Sequence, residues 1–133
     1  MLPSTTALIS ASAIALSVAL MGLPQGGAAA EDALVAVDTA VPSEVLAQGE
    51  ALYLKNCRLC HGTKGKSGKP LAGNDMLEDA EYVASVILVG PGYMAAFEDH
   101  LSDDEIALIV TYVRNAWGHA YGPVDASIVA PLR

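Results

Sequence analysis

The run Cys57-Arg58-Leu59-Cys60-His61 holds both cysteines of the chain and one of its three histidines. Two thiols separated by two residues, with an imidazole directly after the second, form the attachment pattern of a c-type haem. The chemistry accounts for each position. The thiols add to the two vinyl groups on one porphyrin edge, and the two intervening residues set their separation. The adjoining His brings its imidazole over the iron as an axial ligand. Three plainer readings compete. A thioredoxin-like redox pair wants a strand before the first Cys and a helix after it, whereas here a helical segment leads in and a Gly-rich loop leads out. A structural zinc site needs further ligands at matching spacing, and His100 and His119 do not pair with the motif. The third is an ordinary disulfide.

The elements that must position this motif are short. Pro42-Ser43 opens a helix with Ser43 as cap and Glu44 in the first turn. Val45, Leu46, Leu52 and Tyr53 form its apolar stripe, and it ends near Asn56 or Cys57. Residues 61–74 read as a loop, broken by Gly62, Gly65, Gly68, Pro70 and Gly73. A second helix over 79–89 carries Tyr82, Val83, Val86, Ile87 and Val89 and stops at Gly90-Pro91-Gly92. A short strand is the alternative there, because the segment is rich in β-branched residues. The last helix opens on a capping box, Ser102-Asp103-Asp104-Glu105. Ile106, Ile109, Val110, Val113 and Trp117 recur at helical intervals, and Gly118 reads as its left-handed cap. Three helices of this size enclose little volume, and a domain so small gains little from its own core. A large flat apolar ligand in the middle supplies what is missing.

The chain has 133 residues, room for one domain. Residues 1–30 contain no charged side chain; an apolar run is followed by Pro24, Gly26-Gly27 and Ala28-Ala29-Ala30. This describes a secretory signal cut after Ala30. The missing Lys or Arg ahead of the run leaves a second reading, an uncleaved membrane anchor. The expected organisation is a signal peptide at 1–30, a loose N-terminal arm at 31–42, one haem domain at 43–118 and a tail at 119–133. The net charge of −8 argues against nucleic acid or anionic lipid as a partner. Five of the seven bases, Lys55, Arg58, Lys64, Lys66 and Lys69, fall around the attachment loop, whereas residues 70–113 hold nine acids and no base. The plain reading is solvated faces and helix caps. The functional reading is a dipolar protein steered onto an acidic patch.

Gly49 and Tyr53 stand eight and four residues before Cys57, Pro70 follows His61 by nine, and Met94 closes Gly90-Pro91-Gly92-Tyr93-Met94. Together with the haem motif, these residues make the chain resemble a class I c-type cytochrome of the short bacterial mono-haem kind, over about residues 49–117. The resemblance implies an all-α, small cytochrome c fold. About three helices surround one haem, with the N- and C-terminal helices crossing. It implies that Gly49 lets the last helix approach closely, with Tyr53 on one helix and Tyr112 on the other. The Pro70 carbonyl would accept the hydrogen bond from the far nitrogen of His61, which fixes the tautomer and strengthens the ligand. Met94 would be the sixth ligand, its soft thioether favouring reduced iron. The family usually has Pro after this Met, and Ala95 here loosens the loop. Met76 comes early for the pattern, His100 would give a bis-His site, and Met94 as a buried gap-filler is the plain alternative.

The resulting expectation is a protein that transfers one electron through a single covalent haem c. In the periplasm it would carry electrons between a dehydrogenase and a respiratory acceptor, with no membrane association once processed. An alternative is a bound cytochrome subunit of a periplasmic dehydrogenase. The segment 111–118 is similar to the end of such subunits, and arm and tail would dock on the enzyme. A haem enzyme or ligand sensor is the third reading. It needs an open iron position, and no distal acid–base pair is evident.

Overall fold

The first helix starts where Pro42 leaves the helical region, with φ −55° and ψ 139°. This computed structural model describes residues 40–133, and every structural statement below concerns those residues. The signal peptide at 1–30 and most of the arm at 31–42 lie outside the described residues. Five helices and two 3-10 turns follow one another, without a strand: α1 Ser43–Asn56, α2 Arg58–His61, α3 Ala80–Val89, α4 Asp103–Asn115 and α5 Ala126–Val129, with 3-10 turns at Asp75–Glu78 and Ala130–Leu132. The all-α expectation holds. None of these helices is long and apolar enough to cross a membrane.

The crossing of α1 on α4 organises the fold. Gly49 makes it possible: a Cβ there would lie 2.8 Å from Cβ of Tyr112 and would run into the Leu108 carbonyl. A backbone this close to a neighbouring helix leaves no room for any side chain. Around the crossing, Tyr53, Tyr112 and Trp117 pack pairwise, with ring centroids 5.3, 5.4 and 5.7 Å apart. Such tilted and edge-to-face pairs add to the area they bury. The apolar side of α4 continues through Ile106, Ile109, Val110 and Val113 against Val83, Ala84, Ile87 and Leu88 of α3.

The helix ends follow local chemistry. Ser102 Oγ accepts from the Glu105 N–H at 3.2 Å, and Glu105 Oε2 accepts from the Ser102 N–H at 2.9 Å, which completes the expected capping box. Asp79 caps α3 by accepting from the Tyr82 N–H at 2.9 Å. Gly90, in the left-handed region at φ 61°, ends it.

Four expectations change. Ser43 is the first residue of α1, and Pro42 holds the cap position without a side-chain bond. Val89 is exposed, and Ala84 and Leu88 face the core beside Val83 and Ile87. The α4 helix stops at Asn115, before Gly118. Trp117 itself takes a left-handed backbone, φ 55°, a conformation rare for a bulky residue, and its ring lands on Tyr53 and Tyr112. Finally, residues 119–133 are packed. Val129 is fully buried in the core, and Tyr121, Val124, Ala126 and Leu132 pack against it. Thr111 Oγ1 accepts from the Val124 N–H at 2.9 Å, and Asn115 exchanges two bonds of 2.9 Å with Gly122. These side-chain clamps hold the segment to α4.

Candidate functional site

Cys57 caps the end of α1, its N–H donating to the Tyr53 carbonyl at 2.8 Å. The chain then makes one further helical turn, α2, in which the His61 N–H donates to the Cys57 carbonyl at 3.0 Å. Residues three and four apart on a helical turn share a face. Cys57, Cys60 and His61 therefore point to the same side, and all three line one cavity of about 490 Å³.

The rest of that cavity is mostly apolar. Leu71 and Leu77 come from the loop and the first 3-10 turn, Val83 and Ile87 from α3, Ile109 and Val113 from α4. Met94 and Phe97 close it from the segment after α3. Its volume falls in the range that takes a cofactor-sized ligand, of order 300–1,000 Å³. The two thiols are free. Burial, with a smaller contribution from Cys60, pushes the Cys57 thiol up to about 11, which keeps it neutral at pH 7. No group of three or more His, Cys, Asp or Glu among the described residues is placed to bind a metal ion directly. Two thiols and an imidazole on one face of an apolar cavity, with a thioether in its lining, fit a haem held through Cys57, Cys60, His61 and Met94.

His61 Nδ1 lies 3.1 Å from the Lys69 carbonyl oxygen. A carbonyl can only accept, so Nδ1 carries the proton and Nε2 keeps its lone pair for a metal. This corrects the expectation for Pro70. Pro70 is exposed and absent from the cavity wall, which Lys69 joins. The loop folds tightly back on α2: the Ser67 N–H donates to His61 O at 3.0 Å, and the Leu71 and Ala72 N–H groups donate to Gly65 O at 2.8 and 3.0 Å. That fold delivers the eighth residue after His61 to the ring instead of the ninth. Pro70 still contributes, by restricting the backbone of the residue before it.

Gly90 aims the Met94 turn. A Cβ there would clash with the backbone of Ala95 and Ala96, so only Gly permits the loop to double back. The Met94 N–H donates to Pro91 O at 3.2 Å, and the Phe97 N–H is shared between Ile87 O and Leu88 O at 3.1 and 3.2 Å. These bonds fasten the loop to α3 where Ala95 stands instead of Pro. Met94 is half-buried against the core. Met76 is 53% exposed and, like His100, outside the cavity wall. His119 departs from a solvent-facing expectation: it stacks on Tyr121 at 5.1 Å and accepts from the Gly73 N–H at 3.3 Å.

Tyr53 ties the helix crossing to the site. It is fully buried, lines the cavity, and donates its hydroxyl to the Gly62 carbonyl at 2.6 Å. Burial, reinforced by Cys57 and Tyr112, pushes its phenol up to about 12. Burial and the Glu50 carboxylate also raise Tyr112. One participant escaped sequence reasoning: the Lys69 carbonyl is a backbone group and leaves no residue-type signal.

An all-α domain with a thiol–thiol–imidazole turn facing an apolar cavity defines a c-type cytochrome. The chain belongs to the cytochrome c oxidase cbb3-type subunit III family, whose profile matches residues 44–113. Its cofactor is a covalently bound haem c, and its role is electron transfer. Among similar proteins is the cytochrome c subunit of the quinone alcohol dehydrogenase of Gluconobacter oxydans (strain 621H), 36% identical over 103 residues, covering 64% of this chain and 22% of that subunit. The corresponding subunits of Gluconacetobacter polyoxogenes and Komagataeibacter europaeus are 29% identical over the same length and share. The chain thus matches only 22% of the length of each of these relatives.

Proposed function

We propose that this protein is an exported, periplasmic one-electron carrier whose haem is bound through Cys57 and Cys60 and ligated by His61 and Met94. When bound, haem supplies a metal centre that alternates between Fe(III) and Fe(II). The chain's residues do the rest. The Lys69 carbonyl holds His61 in the tautomer that leaves Nε2 available. Met94 presents a soft thioether, which favours the reduced metal. Leu71, Leu77, Val83, Ile87 and Phe97 exclude water from the cavity. The observation that carries this reading is the convergence of Cys57, Cys60, His61 and Met94 on one apolar cavity.

The leader at 1–30, cut after Ala30, supplies the export, and maturation of bacterial c-type haem takes place outside the cytoplasm. The partner is a dehydrogenase, a reading supported by the printed names of the relatives. Those names also favour a second form of it, a stably bound cytochrome subunit, and co-purification with a large oxidoreductase would select that form. The exposed Lys55, Arg58, Lys64, Lys66 and Lys69 surround the attachment loop and suit an acidic docking patch. An optical spectrum in both redox states with a pyridine assay tests the site: one covalent haem c per chain is expected, and its absence from protein matured by an intact haem-attachment system overturns the reading.

A further inference from the structure

Arg114 is buried, with 7% of its surface exposed. Its Nε donates to the Leu77 carbonyl at 2.9 Å, its Nη2 to the Glu78 carbonyl at 2.9 Å and its Nη1 to the Gly122 carbonyl at 3.1 Å. The guanidinium also lies over the Tyr121 ring, 6.0 Å from its centroid. A buried cation ordinarily takes a carboxylate partner. Here every hydrogen-bond partner is a backbone carbonyl, and the exposed Asp79 and Glu78 act on the charge only from a distance. Burial lowers its pKa, but an arginine remains charged at neutral pH.

Fastening a 3-10 turn to a helix does not require a net charge, since a neutral amide donates to the same carbonyls. The position of the charge is what distinguishes the arrangement. Leu77, whose carbonyl Arg114 holds, and Val113, its chain neighbour, both line the cavity. We propose that Arg114 is a positioning residue that also raises the haem reduction potential: its fixed positive charge behind the cavity wall disfavours the oxidised iron, and its three backbone bonds hold the Leu77 wall in place. The proposal rests on the haem-site reading above. Oxidation adds one positive charge to the centre, and a like charge across apolar side chains opposes it with little screening. The exposed lysines around the attachment loop exert the same sign of effect, but salt damps it within a Debye length of about 8–10 Å. Arg114 lies just beyond the family match, which ends at residue 113.

The test measures midpoint potentials of the holoprotein and of Arg114→Met and Arg114→Lys, at low and high ionic strength, with haem content and the thioether charge-transfer band recorded on each sample. In Arg114→Met the equilibrium should shift about tenfold toward oxidised iron, a potential lower by about 59 mV, and the gap should persist at high salt. Arg114→Lys, which keeps the charge but not the three bonds, should shift it less than about threefold. A potential unchanged in Arg114→Met overturns the proposal, as does a fall in Arg114→Lys equal to that in Arg114→Met. If Arg114→Met does not accumulate, Arg114→Gln, a neutral amide, takes its place: a tenfold shift that persists at high salt supports the proposal, and an unmoved potential overturns it. Wild-type protein without covalent haem or without the band overturns the site reading and this proposal with it. An intact band with unmoved potentials overturns this proposal only.

Discussion

Tyr53 shows how much one side chain can carry. It stands four residues before Cys57, packs in the aromatic trio at the helix crossing, lines the cavity and bonds the carbonyl that ends the attachment turn. Tyr53→Phe removes only the hydroxyl, so the half-buried Gly62 carbonyl loses its 2.6 Å donor and keeps the Gly65 N–H at 3.3 Å. The loss should cost about 1 kcal/mol in a denaturant melt of the holoprotein. The phenol also gives a pH signature. Its folded value of about 12 lies above the ordinary 10, chiefly through burial, so the cause persists once Cys57 is a thioether. A phenol whose folded pKa is raised releases its proton more readily when unfolded. Its contribution to stability is therefore intact below pH 10 and is lost as pH climbs from 10 toward 12. In an ultraviolet titration, Tyr53 and Tyr112 should ionise above the ordinary tyrosine value of 10, and ionisation of both at that value would contradict the buried placement. At this scale the sequence was readable for where side chains meet: Cys57, Cys60, His61 and Met94 all line one cavity. It was opaque for the Lys69 carbonyl, because a loop's hydrogen-bond register depends on how several residues fold back together.

At the scale of elements, local signals were legible and non-local ones were not. The Ser102–Glu105 box and the Gly90 stop are contained within four or five residues, and both are present as read. The end of α4 is different. Gly118 looked like its cap, yet the helix breaks at Ala116 and Trp117 takes the strained backbone. The reward for that strain is the contact with Tyr53 and Tyr112, more than sixty residues and five residues away, which no local pattern announces. Residues 119–133 mislead for the same reason: they lack a period, but Val129 fills a core that other elements build. The crossing itself makes the sharpest element-scale prediction. Gly49→Ala gains about 1 kcal/mol of helix propensity, but the added Cβ meets Leu108 and Tyr112. Overpacking a close contact costs about 1–3 kcal/mol. The net should be a lower melting temperature, and an unchanged or higher one would mean that α1 and α4 are not held this close.

Across the whole molecule, charge is distributed unevenly. The attachment side carries Lys55, Arg58, Lys64, Lys66 and Lys69, all exposed, while exposed acids gather at 75–81 and 98–104. Part of this pattern is structural, since Asp79, Ser102 and Glu105 serve as helix caps. The remainder predicts steering. Reversing charge at Lys64, Lys66 and Lys69 should slow electron transfer to an acidic partner about tenfold or more at low salt, with the difference shrinking as ionic strength rises. Equal rates at every ionic strength would remove the basic face from the docking account. Such reversals leave the Lys69 carbonyl, and hence His61, in place. The central claim, that His61 and Met94 ligate a haem tethered at Cys57 and Cys60, is tested most directly by the optical spectrum of oxidised Met94→Ala. The account predicts that covalent haem is retained while the sulfur-to-iron charge-transfer band of the wild type disappears. A band that survives the substitution would show that Met94 is not the ligand.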